Sequence, residues 1–441
     1  MAERSVQRRR NAAETAERQR ESRSLEVSPR SVPRVISQDH AGYANNFFFL
    51  YYICLPKEPD VQHGFMECLY PIWMRSDASS PLRPIVTAVA GVMLDAWSQI
   101  KPDLPNSLSR AHYGQGVEAL RRRLQGTDDA GDDIIMAALM LVMYENLTSF
   151  LTGQRNRGPH MTGTTAMIES RRQQPFADEV SQRLILGARN QVVGRAISSA
   201  ESVPTVVSNW SERTTGIPTT PYFKLDSLKI EVANLQADAL RLTQIPETPD
   251  GEIVAILNWA TELDEQFSIW SASLPPDWPP TRVSGPERIP QSVREAGLYQ
   301  DYCDIYRSVF VANTFNSYYK SRIVLQMVII ACLERLNSEA TSLTTADFLL
   351  SIQDLADTLC ASIPFLLGDR VDASRLDDTR VRFPSIPGRS LPASHYSTSG
   401  AFGGFLLCIQ LVELLPPRVP LRPGQKQWIG GQLGRIKRWA P

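Results

Sequence analysis

At 441 residues, 43% hydrophobic and 21% charged, the chain is long enough to bury a substantial core, as one large helical body or two closely packed ones. Its 46 Lys and Arg against 47 Asp and Glu exclude a broad basic surface that grips nucleic acid, so any such contact is local. Six scattered cysteines without a C-x2-C spacing exclude a zinc knuckle and a disulfide framework, and the longest apolar runs, Ile134 to Met143 and Ile323 to Cys332, are about half a bilayer span. The expectation is a soluble, intracellular protein with buried thiols.

Residues 1–40 read as a basic, disordered tail and linker. The first thirty carry eight Arg and five Glu, including Arg8-Arg9-Arg10, with almost no apolar face. Such a tail suits a solvated arm, a nuclear-import patch or a weak, local phosphate contact. A basic-leucine-zipper reading is disfavoured, because no leucine heptads follow. Residues 41–441 read as one large all-α, multi-helix domain. Its first apolar stretch, Asn46 to Cys54, is aromatic and fits a short buried helix or a strand equally well.

Helices are expected over Pro84 to Ile100 and Ser109 to Leu124, the latter with Tyr113, Val117, Leu120 and Leu124 on one side and a wet Arg121 to Arg123 on the other. Asp128, Asp129, Asp132 and Asp133 form the one constellation that invites an enzyme reading. A D-D-x-x-D helix holds Mg2+ against a diphosphate in all-helical isoprenoid synthases. Here Gly131 interrupts the cluster, and the carboxylates directly precede the apolar run from Ile134, where they can cap a helix and oppose its dipole. Asn337-Ser-Glu339 lacks the spaced ligands of a second metal motif, so the helix-start reading is preferred. His40, His63, His112, His160 and His395 are isolated, and no H-E-x-x-H, G-x-S-x-G or phosphate-binding glycine loop is present. His63 with Cys54 and Cys68 reads as core rather than as a metal set.

Further on, Leu225, Leu228, Val232, Leu235, Ala239 and Leu242, and then Ile256, Ala260, Leu263, Phe267, Trp270 and Leu274, keep a three-four spacing. They suit two helices packed inside one body better than a coiled-coil dimer seam, because Pro246 and Pro249 separate them. Pro275 to Pro280 ends the second, and Pro286 to Pro290 reads as a linker into a central helix from Asp304 to Leu336. That helix has no Pro or Gly and an apolar face through Ile305, Val309, Ala312, Phe315, Tyr319, Ile323, Met327 and Ile330. Thr344, with Asp347 three residues on, caps the next helix, whose apolar face is Phe348, Ile352, Leu355 and Leu359 and which stops before Pro364. A polar loop to His395 precedes two last helices, Phe402 to Leu415 and Gln425 to Trp439.

Five segments taken in order resemble one family, the fungal-specific transcription factors with a Zn2Cys6 binuclear cluster, in their C-terminal regulatory region. They are Asp132 to Glu145 with Gly158 to Arg172; Ala260 to Trp270 with Leu274-Pro-Pro-Asp-Trp278; Tyr318-Tyr-Lys-Ser-Arg322-Ile; Leu359 to Gly368; and Gly403-Gly404 through Trp428 to Gly434. The resemblance spans about Asn46 to Trp439. It departs where the family places its zinc ligands, for no C-x2-C stands near Arg8 to Arg23.

The resemblance therefore implies a nuclear transcriptional regulator of a biosynthetic, secondary-metabolite or catabolic gene cluster. The chain is either a piece of a longer regulator or one that reaches DNA indirectly, through a DNA-binding partner or a homodimer. A small-molecule effector is a further expected partner, and a membrane is not. No residue is assigned a catalytic, cofactor-binding or metal-binding role, no cofactor is expected, and the chain is not expected to be an enzyme. The rival readings are an Mg2+-dependent isoprenoid-type enzyme using Asp128, Asp129 and Asp132, and a small-molecule-sensing module with a pocket among the helices.

Overall fold

A computed structural model describes residues 39–54, 61, 64–98, 107–126, 131–153, 159–170, 178–210, 219–289, 291–336, 344–368 and 399–437. The basic tail expected over residues 1–40 lies outside them except for Asp39 and His40. Residues 44–441 cluster as one compact unit and residues 1–43 as another.

The described elements run α1 (His40–Tyr51), α2 (Phe65–Arg75), α3 (Leu82–Ser98), α4 (Ser107–Gly126), α5 (Asp132–Thr152), α6 (Pro159–Ser170) and α7 (Glu179–Ser199). A short turn of helix, α8 (Thr205–Ser208), leads to α9 (Pro221–Thr243) and α10 (Asp250–Ala272). Then come β1 (Thr281–Ser284), α11 (Gln291–Gly297), β2 (Tyr302–Ile305), α12 (Val309–Leu336), α13 (Thr345–Ala361) and α14 (Ile363–Leu366). A π-turn, Ser399–Gly403, opens α15 (Gly404–Val412), and α16 is Gln425–Lys437. The fold is all-α with one two-stranded ribbon, and the aromatic stretch from Asn46 begins as helix.

Two groups of helices share one core. In the first, α3 packs on α4 and α5, and α2 on α7; in the second, α12 packs on α9, α10, α13 and α15. They meet where α7 lies against α9. α5 is long and apolar enough to cross a membrane, yet every residue from Ile134 to Tyr144 is buried in the protein's own core. The two three-four stripes of α9 and α10 face each other and α12, so they form interior packing within the chain.

The central helix starts later than its Pro- and Gly-free run implies. Residues 302–305 pair antiparallel with 281–284, Arg282 opposite Asp304, and the Arg282 guanidinium grips the buried Asp304 carboxylate through Nε at 2.8 Å and Nη2 at 3.0 Å. That pair holds Asp304 in a strand, and Ser308 begins the helix, its hydroxyl accepting from Val311 N and its carbonyl from Ala312 N. The segment read as a linker from Pro286 is thus part of a ribbon with an inserted helix, α11. The buried face is also broader than the stripe implies. Leu325, Ile329 and Cys332 are fully buried, whereas Met327 and Ile330 are half-buried. Leu124, placed on the apolar side of α4, is exposed, and Arg121 to Arg123 are exposed as expected.

The cap of α13 is as expected, with Thr344 Oγ1 accepting from Asp347 N. Toward the other end of α13, Asp357 joins three segments. Its Oδ1 accepts from Gln353 Nε2 (2.6 Å) and Gln425 Nε2 (3.0 Å), and its Oδ2 from Gln300 Nε2 (3.1 Å) and Arg422 Nη2 (2.9 Å). Cys68, Cys303, Cys332 and Cys360 are buried and Cys54 and Cys408 half-buried, all as free thiols. Burial pushes the Cys68 and Cys360 thiols up to about 12, so they are protonated and inert at neutral pH.

Candidate effector cavity

Where the two helix groups meet, α5, α7, α9, α12, α15 and α16 line a partly open cavity of about 1140 Å³. Its wall is mainly apolar, with Phe150 from α5, Ile323 and Met327 from α12, and Leu433 from α16. Met327 is half-buried because it faces this space. The volume is ample for a drug-sized organic molecule.

Charged groups are set into this apolar wall. Lys320 Nζ lies 3.0 Å from Glu413 Oε2, and Ser198 Oγ donates to Glu413 Oε1. Lys229 Nζ donates to Asn190 Oδ1 at 2.9 Å and to Asp226 Oδ1 at 3.2 Å; Arg189 Nη1 approaches Asp226 Oδ2 at 3.4 Å. The side chains of Arg189, Asp226, Lys229 and Lys320 are each no more than 5% exposed. Removing such charges from water costs several kcal/mol per ion unless partners compensate. Here three cations share two carboxylates. Burial pushes the Lys229 ammonium below its ordinary value, Asp226 opposes that, and the neighbouring Lys320 and Arg189 add to it. Two amide oxygens on the cavity wall, Gln236 Oε1 and Gln410 Oε1, are buried without a hydrogen-bond partner.

Beside the cavity, Glu145 Oε1 lies 3.4 Å from His160 Nε2, which also meets Tyr113 Oη at 3.0 Å, and Tyr113 stacks on Tyr144. Burial raises the Glu145 carboxyl to about 7, with Arg195 opposing, and lowers the His160 imidazole below its ordinary value.

The segments singled out in the sequence are joints between helices. Glu145 and His160 bring the two halves of the first together. Asp264 and Arg322 join the second and third, with Trp270 stacked on Tyr318 at 5.2 Å between ring centres. Gly403 lies so close to the Leu366 carbonyl that a Cβ would overlap it, which joins the fourth and fifth. Across 356 residues, 78% of this chain and 78% of the relative, the sequence is 22% identical to the transcription factor dbaG of Emericella nidulans. The chain is similar to a fungal transcription factor. That similarity supports a transcriptional regulator in general. No family model matches the chain, and no solved structure matches it.

Of the aspartate cluster, Asp128 and Asp129 lie outside the described residues, as do Asn337 to Glu339 and His63. Asp132 and Asp133 occupy the first turn of α5, where the helix dipole favours them, but the N-cap is Gly131, and neither carboxylate is the cap. Instead Ser181 Oγ donates to Asp132 Oδ2 and Ser80 Oγ to Asp133 Oδ2, each at 2.6 Å, which ties α5 to the starts of α7 and α3. Among the described residues no three His, Cys, Asp or Glu side chains gather as a metal set.

The cavity's charged residues were not singled out from sequence. A signal was present for two of them. Lys229 stands at i+4 from Leu225 on the apolar stripe of α9, and Lys320 falls between Asn316 and Ile323 on the stripe of α12. A lysine on a stripe that faces the core announces a buried charge.

Proposed function

We propose that the chain is a nuclear transcriptional regulator of a fungal biosynthetic or catabolic gene cluster, and that its helical body responds to a small molecule held in the cavity. The similarity to dbaG, which extends over 78% of both chains, carries the regulatory part of this reading. The effector part is supported by the cavity's volume, its apolar wall and its convergent polar groups.

Specific DNA contact is assigned to a DNA-binding partner or to a segment preceding these residues. Reading base edges takes a rigid element that fixes several side chains in a groove, and the basic segment Arg4 to Arg23 carries phosphate-binding charge without zinc ligands or a zipper. The test is transcript profiling of a strain lacking the gene against one with it restored. Coordinated change across a contiguous set of genes supports the reading, and an unchanged profile in both strains, with the protein expressed, overturns it. Purified protein on promoter fragments should show weak binding that salt abolishes; a preference over scrambled DNA surviving at about 0.15 M salt would reassign DNA reading to this chain.

A further inference from the structure

The cavity's charge and hydrogen-bond inventory specify a ligand class. Among the described residues, five cationic side chains, Arg195, Lys229, Lys320, Arg418 and Lys437, contribute to its lining, against one acidic side chain, Glu413. The Lys437 ammonium stacks on Phe150 at 4.6 Å. Behind the wall, Asp226 is shared between Lys229 and Arg189, so the buried set keeps one positive charge more than its carboxylates neutralise. An excess buried cation is stabilised by an anion placed beside it in a low-dielectric space. Gln236 and Gln410 also contribute to the lining, but their unpartnered amide oxygens are shielded from the open space. The remaining wall is hydrocarbon and aromatic.

We propose that this cavity binds an amphipathic organic acid, its carboxylate between Lys229 and Lys320 and its apolar body against Ile323, Met327 and Leu433. This rests on the effector reading above and narrows it to an anion. A cationic or purely neutral ligand would leave the excess charge uncompensated.

The test uses the full chain and the fluorescent amphipathic anion 8-anilinonaphthalene-1-sulfonate, with decanoate and decanol as competitors. Gly194 lines the cavity on α7, and a Cβ there meets nothing within 4 Å, so a side chain at this position has room to start without overlap. Wild-type protein should bind the probe, and decanoate should displace it at a concentration at least tenfold below that of decanol. Gly194→Phe should weaken probe binding by taking up part of the space. Gly194→Asp should weaken decanoate at least tenfold while leaving decanol within about twofold. Lys229→Gln should do the same, and the wild-type comparison stands even where that variant folds poorly. Equal displacement by decanoate and decanol overturns the anion assignment and leaves the effector reading standing. Probe binding that is unchanged in Gly194→Phe overturns both, because the ligand would then sit elsewhere.

Discussion

Asp264 and Arg322, 58 positions apart, form a two-pronged ion pair: Nε to Oδ1 at 2.8 Å and Nη2 to Oδ2 at 2.6 Å, with Arg322 Nη1 donating to Tyr318 Oη at 2.9 Å. Both side chains are less than a fifth exposed, so each charge depends on the other for the solvation it has lost. The pair clamps α10 to α12 where Trp270 stacks on Tyr318.

Arg322→Lys keeps the charge and loses the fork, and Arg322→Met strands Asp264. The expected destabilisation is about 1–2 kcal/mol for the first and about 3–5 kcal/mol for the second. Urea denaturation of both, together with Asp264→Asn and the double variant, checks this. A double variant no more stable than the sum of the two single losses would show that the pair carries no coupling.

On α12 the side chains of Ile329 and Ile330 are adjacent in sequence and differ in surroundings. Ile329 is fully buried and Ile330 half-buried. Ile329→Ala should cost about 2–5 kcal/mol and Ile330→Ala about 1 kcal/mol. Thermal unfolding of the two side by side reads the phase of the helix directly, and equal losses would refute it.

Gly403 and Gly430 should respond to alanine with opposite signs. At Gly403 the new methyl meets the Leu366 carbonyl, a backbone group with little room to yield, so Gly403→Ala should lose about 1–3 kcal/mol. At the exposed, helical Gly430 nothing lies within 4 Å of a Cβ, and Gly430→Ala should gain about 0.5–1 kcal/mol. Midpoints of chemical denaturation report both.

Glu145 gives the protein a pH-dependent stability. With its carboxyl raised from an ordinary 4.5 to about 7, the folded chain holds a proton that the unfolded chain has released, so this group makes stability fall as pH rises through that window. His160, lowered by burial, acts in the opposite sense, its contribution being lost as pH falls below its ordinary 6.5. Glu145→Gln removes the first slope alone. Measured from about pH 5 to about pH 8, the variant's advantage over wild type should grow up to neutrality and then level off. An advantage that does not change with pH would place the Glu145 carboxyl at its ordinary value.

Much of the helical frame was legible because its signals are local: the Thr344 cap, the stripes of α9 and α10, and the glycine and proline stops. Asp304 was misread because its partner, Arg282, is 22 positions away, and nothing in the run from Asp304 to Leu336 reports a cross-strand ion pair. Met327 and Ile330 were placed on the buried face by spacing, but spacing gives the phase of a helix and says little about how many neighbours surround it. The cavity was invisible for the same reason. The stripe positions of Lys229 and Lys320 report burial, but they do not report the one space around which three separate helices bring them with Glu413 and Gln236.

The Asp357 junction bears on the order in which this protein matures. Gln425 and Arg422 reach that carboxylate from the segment that carries α16, and α16 supplies Leu433 and Lys437 to the cavity wall. During synthesis the earlier helices can assemble while one side of the cavity is still open. The binding space closes only after residues 422–437 have left the ribosome and docked on α13. On the effector reading proposed above, a ligand would meet the finished molecule and not the nascent chain.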